Sequence, residues 1–123
     1  MTEAMSENNA QIGRAWLTAF NAKDLERLVG LYADDCTHTS PKLRVQRPES
    51  GGKIHGKPAL RTWWEDAFRR LPQLRYELQT MTADEQRVVL EYLRHAPGEE
   101  TLPVAEVFDI TAGKIAASRV HHG

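Results

Sequence analysis

The apolar positions Ile12, Ala15, Trp16, Ala19 and Phe20 recur at spacings of three and four, which predicts an amphipathic helix with one wide apolar stripe. The residues before it are polar, so residues 1–10 read as a tail ahead of a single domain over 11–123. Asn21-Ala22-Lys23 breaks the stripe, and Asp24 offers a side-chain cap for a second, short helix. Its buried side is Leu25, Leu28, Val29, Leu31 and Tyr32, and Asp34-Asp35 ends it. The short, partly β-branched run Cys36–Ser40 predicts a strand, and from Pro41 to Gly51-Gly52 the chain reads as a loop or an irregular hairpin. Gly56-Lys57-Pro58 then opens a third helix, since proline fits a first turn. Leu60, Trp63, Trp64, Ala67, Phe68 and Leu71 give it an apolar stripe that stops near Pro72.

The rest of the chain alternates in the manner of strands, roughly Leu74–Met81, Arg87–His95, Glu100–Ile110 and Lys114–His121. Thr82-Ala83-Asp84-Glu85, Pro97-Gly98 and Ala112-Gly113 supply the turns of an antiparallel meander. Helices first and strands afterwards predict an α+β fold in which three helices from the N-terminal half cover the apolar face of the sheet.

A chain of 123 residues is one domain long and buries roughly two-thirds of the surface its unfolded form exposes, enough for a core without staples. With 16 Lys and Arg against 17 Asp and Glu, and no run of like charge, the basic stripe of a nucleic-acid binder is missing. Cys36 is the single cysteine, which excludes an intramolecular disulfide, fits a reducing compartment and makes a cytoplasmic location the expectation. Its thiol reads as inert. The first residues carry Glu3 and Glu7 rather than a basic start and an apolar run, and no stretch of apolar residues is long enough to span a bilayer, so neither export nor a membrane is expected.

Two features carry candidate chemistry. Glu106 shares the face of its strand with Val104, Phe108 and Ile110, so a core-facing strand would hold a carboxylate where hydration is poor, and such an acid has a raised pKa. The histidines His38, His55, His95, His121 and His122 show no metal-ligand spacing, and neighbouring histidines on a strand face opposite ways. Gly51-Gly52 is not followed by the lysine and helix of a phosphate loop. Neither a metal nor a cofactor is expected.

Four segments in order carry a resemblance: Ala19-Phe20-Asn21-Ala22-Lys23-Asp24-Leu25, Leu31-Tyr32-Ala33-Asp34-Asp35, Ile54-His55-Gly56-Lys57-Pro58-Ala59-Leu60, and Val107-Phe108-Asp109-Ile110 with Gly113-Lys114-Ile115. Together they resemble the SnoaL-like branch of the NTF2-like superfamily. That resemblance implies a curved antiparallel sheet wrapped by three helices into a cone with an apolar pocket, and a homodimer through the sheet. It does not fix an activity, because the same cone hosts ketosteroid isomerases, polyketide cyclases, dehydratases, epoxide hydrolases and non-catalytic binding modules.

Against the isomerase pattern, Trp16 stands where a tyrosine serves as oxyanion donor, and Ser40, before Pro41, stands where an aspartate serves as base. Glu106 matches the second oxyanion donor, a carboxylic acid kept protonated. Against the cyclase pattern, His121 and His122 stand near an aspartate of the last strand. His122 shares a face with Ser118 and Val120, or else belongs to a frayed, solvated terminus. His38 shares a face with Ser40 that the resemblance turns toward the cavity, as a base or as a hydrogen-bonded structural residue. Glu106 is alternatively neutralised by Arg119 across the hairpin.

The expectation that follows has Glu106, His38 and His122 as catalytic residues, and Trp16, Tyr32, Ser40, Trp64, Phe68 and Ser118 lining the binding site. The aromatic members are either core or a stacking surface for a ring. The ligand would be a small apolar, ring-containing molecule. The activity would be a cofactor-independent isomerisation, cyclisation or dehydration by acid–base proton transfer, or the chain would be a non-catalytic binding or accessory module.

Overall fold

The computed structural model describes residues 2–123. Its first helix, α1 (Thr2–Asn21), takes in the residues expected as a polar tail. That early start has a tertiary anchor: Asn9 is buried, and its Nδ2 donates to the Asp84 carbonyl at 2.9 Å in a distant turn. Polar residues face solvent on the remaining sides, which suits helix as well as coil. Lys23 ends the helical run with a left-handed φ of 57°. The backbone N–H of Asp24 then returns to the Ala19 carbonyl, and its carboxylate accepts from Arg27 N at the start of α2 (Leu25–Gly30).

Strand β1 (Tyr32–Thr39) begins earlier than expected, and Asp34-Asp35 lies inside it rather than ending a helix. These two aspartates are exposed while Tyr32, Cys36 and His38 are buried, so the strand carries its polar residues where its register with a neighbour is irregular. The stretch expected as loop or hairpin contains a further helix, α3 (Pro41–Gln46). Ser40 caps it, its Oγ accepting from Lys42 N at 3.1 Å and Leu43 N at 3.3 Å, and Pro41 fills the first turn. A single 3₁₀ turn, Pro48–Ser50, leads to the short β2 (Lys53–His55), and α4 (Lys57–Arg70) follows Gly56 as expected. The described residues thus form four α-helices, not three.

Strands β3 (Arg75–Ala83), β4 (Arg87–His95), β5 (Leu102–Thr111) and β6 (Lys114–His122) form the meander. They join β1 and β2 in one curved, unclosed sheet of order β2-β1-β6-β5-β4-β3. One ladder departs from the antiparallel expectation: β1 runs parallel to β6, with His38 beside Ser118. Parallel neighbours need a long crossover, and the helices and the rest of the sheet between them provide it.

Helices α1, α2 and α4 cover the concave face, while α3 packs against β6. The interior is unusually aromatic. Phe20 stacks on Tyr76 with centroids 4.0 Å apart, Tyr76 on Tyr92 at 4.2 Å, and Trp16 on Phe20 at 5.2 Å. At Gly13 a Cβ would come within 2.9 Å of Val88 Cγ1, so α1 sits with its backbone directly on the sheet. No helix among the described residues is long and apolar enough to cross a membrane.

Candidate functional site

Between the concave sheet face and α4 lies a cavity of about 120 Å³. Its inner wall is His38, Trp64, Tyr76, Tyr92, Val104 and Val120, and its mouth carries Lys42, Gln46, Arg70, Glu99 and His122. An apolar cavity of ~150 Å³ accepts benzene, so this one has the scale of a single ring or a short chain.

Strand alternation turns His38 inward, where it is 1% exposed. The parallel register sets it beside Ser118, and Nδ1 lies 2.6 Å from the Ser118 hydroxyl. Nε2 has no hydrogen-bond partner among the described residues, and the ring packs against Trp64 at 5.2 Å. Burial pushes the imidazole down to about 4, so it is uncharged at neutral pH. Behind it, Ser118 is within reach of the Tyr32 hydroxyl, and Trp16 Nε1 donates to that hydroxyl at 3.0 Å. Burial, followed by the nearby Glu106 carboxyl, holds the Tyr32 phenol far above its ordinary value.

His122 belongs to β6 and pairs in register with Val104, so it is part of the sheet and not a frayed end. It is half-buried, and its pKa is lowered first by desolvation and then by the charges of Lys42 and Arg94. Arg94 is itself buried, its Nη1 donating to Glu99 Oε1 at 2.6 Å. Sequence reasoning passed over Lys42, Arg70 and Arg94. For Arg94 the signal was available: Val88, Leu90, Tyr92 and Arg94 alternate on one face of β4, which carries the arginine inward.

Glu106 sits elsewhere. It is fully buried on β5, its Oε1 accepts from the Tyr92 hydroxyl at 2.8 Å, and Oε2 has no partner among the described residues. Desolvation pushes the carboxyl up to about 8, against the smaller downward pull of the Tyr92 hydrogen bond, so it is protonated at neutral pH. It does not reach the cavity; Tyr92 touches both. The alternative, a cross-strand ion pair of Glu106 with Arg119, is not formed. Glu106 stands opposite Val120, whereas Arg119 stands opposite Val107 and donates to Asp109 Oδ2 at 2.6 Å.

The structure therefore brings His38, Ser40, Trp64 and His122 together on the cavity wall, and leaves Glu106, Trp16, Tyr32, Phe68 and Ser118 behind it. Trp16 is fully buried between Phe20, Tyr76 and Phe108 and fills the inner cone, its one donor already used on Tyr32. Phe68 packs edge-on against Phe20. The Ser40 hydroxyl accepts from the α3 cap. Cys36 is buried with its thiol pushed up by burial, which leaves it a poor nucleophile. No three His, Cys, Asp or Glu side chains among the described residues converge as metal ligands.

The family model of the SnoaL-like domain matches residues 13–118, and the chain belongs to that family. A SnoaL-like protein of unknown function from Burkholderia thailandensis is similar at 28% identity, with 99% of this chain and 97% of that one covered and a TM-score of 0.85. Two further crystal structures share the fold. A candidate ketosteroid isomerase from Kribbella flavida has 15% identity, 100% and 82% coverage and a TM-score of 0.81. A candidate polyketide cyclase from Sinorhizobium meliloti has 19% identity, 90% and 94% coverage and a TM-score of 0.75. No curated protein matches.

Proposed function

We propose that the chain binds a small molecule of about one ring in this cavity and transfers a proton on it without a cofactor, as an isomerase or lyase does. What carries the reading is the inner wall, where a fully buried, uncharged imidazole presents an unpartnered nitrogen to the cavity. A second uncharged imidazole, His122, stands at the mouth of the same cavity. One nitrogen can take a proton from the ligand while a donor on the wall meets the charge that develops. Trp64 and Tyr92 supply aromatic surface on the wall. Glu106 stays outside the step, behind Tyr92.

The polycyclic ligands that the resemblance brings to mind are too large for about 120 Å³. A homodimer through the outer sheet face and a cytoplasmic location belong to the same proposal. The test is a thermal-shift panel of single-ring ketones, enols and epoxides followed by turnover of any binder. A ligand at a hundredfold excess over its Kd adds about 2.7 kcal/mol, several degrees for a domain of this size. A shift without turnover turns the reading toward a non-catalytic binding module. The close aromatic filling of the inner cone around Trp16 favours that second reading.

A further inference from the structure

Behind the cavity wall lie two buried hydrogen-bonded pairs, Trp16 on α1 with Tyr32 on β1, and Ser118 on β6 with His38 on β1. The direction of each follows from the donors available. An indole N–H can only donate, so the Tyr32 oxygen accepts from Trp16 Nε1. Ser118 is fully buried, and its hydroxyl proton has one acceptor at hydrogen-bond distance, His38 Nδ1 at 2.6 Å. A buried hydroxyl proton left without an acceptor is costly, so the serine donates to His38 Nδ1. A neutral imidazole that accepts at Nδ1 carries its hydrogen on Nε2, the nitrogen with no partner on the cavity wall.

The opposite end of the cavity carries Lys42, Arg70 and Arg94. Arg70 is paired with Asp66 and Arg94 with Glu99, while Lys42, whose charge acts on His122, has no carboxylate partner among the described residues. Glu99, held by Arg94, is the one carboxylate on the wall among the described residues. The two ends are therefore both electron-poor: a neutral N–H donor inside, and positive charge at the mouth.

We propose that Ser118 locks His38 as a hydrogen-bond donor, and that the cavity takes a small oxo-carboxylic acid whose carbonyl oxygen accepts from His38 Nε2 and whose carboxylate faces Lys42. This rests on the small-molecule reading above and narrows its chemistry. It makes Ser118 a positioning residue, gives His38 the task of polarising a carbonyl, and leaves the base's part to His122.

The lock is tested without any ligand by a long-range ¹H–¹⁵N spectrum of the imidazoles. A protonated Nε2 and a bare Nδ1 on His38 are expected in the wild type, with a mixture of tautomers in Ser118→Ala. A protonated Nδ1 in the wild type overturns the lock. The ligand class is tested by titrating 4-acetylbenzoate against acetophenone, which lacks the carboxylate, and benzoate, which lacks the ketone. The keto acid is expected to bind at least tenfold tighter than either, and Lys42→Ala to remove most of its advantage over acetophenone. Equal binding of the three, or of none while other single-ring compounds bind, overturns the oxo-acid assignment and leaves small-molecule binding standing. If no compound of the wider panel binds, the broader reading falls instead, whatever the tautomer.

Discussion

His38 and Glu106 lie on the two strands that flank β6, both fully shut off from solvent and both held in their uncharged forms by desolvation. Each has one hydrogen-bonded atom and one atom without a partner among the described residues. They differ in what lies in front of the free atom. At His38 it is the cavity, with Trp64 alongside; at Glu106 it is packed interior, with Tyr92 standing between the acid and the open space. Burial shifts a pKa in either setting, but only access lets a shifted group meet a ligand. A perturbed acid in the core is thus weaker grounds for chemistry than a less conspicuous imidazole with an open edge.

The contrast breaks most violently if the aromatic packing of the inner cone is removed. Trp16→Ala deletes the side chain stacked on Phe20, Tyr76 and Phe108 and is expected to cost about 3–5 kcal/mol, read from urea unfolding. Next in size is the pH dependence of stability. Glu106 has a folded pKa near 8 against an ordinary 4.5, so between those values the folded protein holds a proton that the unfolded chain releases. Stability from this group is fully present below 4.5 and is lost as the pH rises through about 8, on the order of a few kcal/mol. In Glu106→Gln that loss should vanish, leaving the variant close to wild type at pH 4.5 and more stable at pH 8.

His38 has the opposite sign. Its folded pKa near 4 lies below the ordinary 6.5, so its contribution is present above 6.5 and is lost as the pH falls through about 4. His38→Ala should sharpen the contrast in binding: a loss of tenfold or more in affinity for any cavity ligand, about 1.4 kcal/mol, while Glu106→Gln changes the same Kd less than threefold by isothermal titration. The smallest effect belongs to Arg119→Ala. It opens a partly exposed pair with Asp109, costs at most about 1 kcal/mol, and leaves the alkaline loss set by Glu106 in place, since the two do not touch.

Periodicity made α1, α4 and the β5–β6 hairpin legible, because each repeats its pattern over two or more turns or several alternating pairs. Helix α3 escaped because six residues are too few for a period to declare itself. Its signal was the Ser40-Pro41 cap, equally at home in a turn. The parallel pairing of β1 with β6 left no trace in either strand, since alternation says which face a residue occupies and nothing about its neighbour. For the site, alternation placed Glu106, His38 and His122 on the inner face. It could not show that Tyr92 stands in front of Glu106, a matter of ring packing in three dimensions. Arg94 was hidden by a habit of reading charge as solvated; its aliphatic stem lets the residue be buried while the guanidinium keeps a partner.

The parallel β1–β6 ladder also bears on the order in which the molecule assembles. His38 and Ser118 are 80 residues apart in sequence, while the meander and the helices are closed by local turns. Ladders between distant segments raise the contact order and come late on the folding path. The imidazole's tautomer can therefore be set only after β1 and β6 have met. In a refolding experiment the His38 ring resonances would settle after helical circular dichroism has recovered, marking the moment at which the cavity acquires its inner wall.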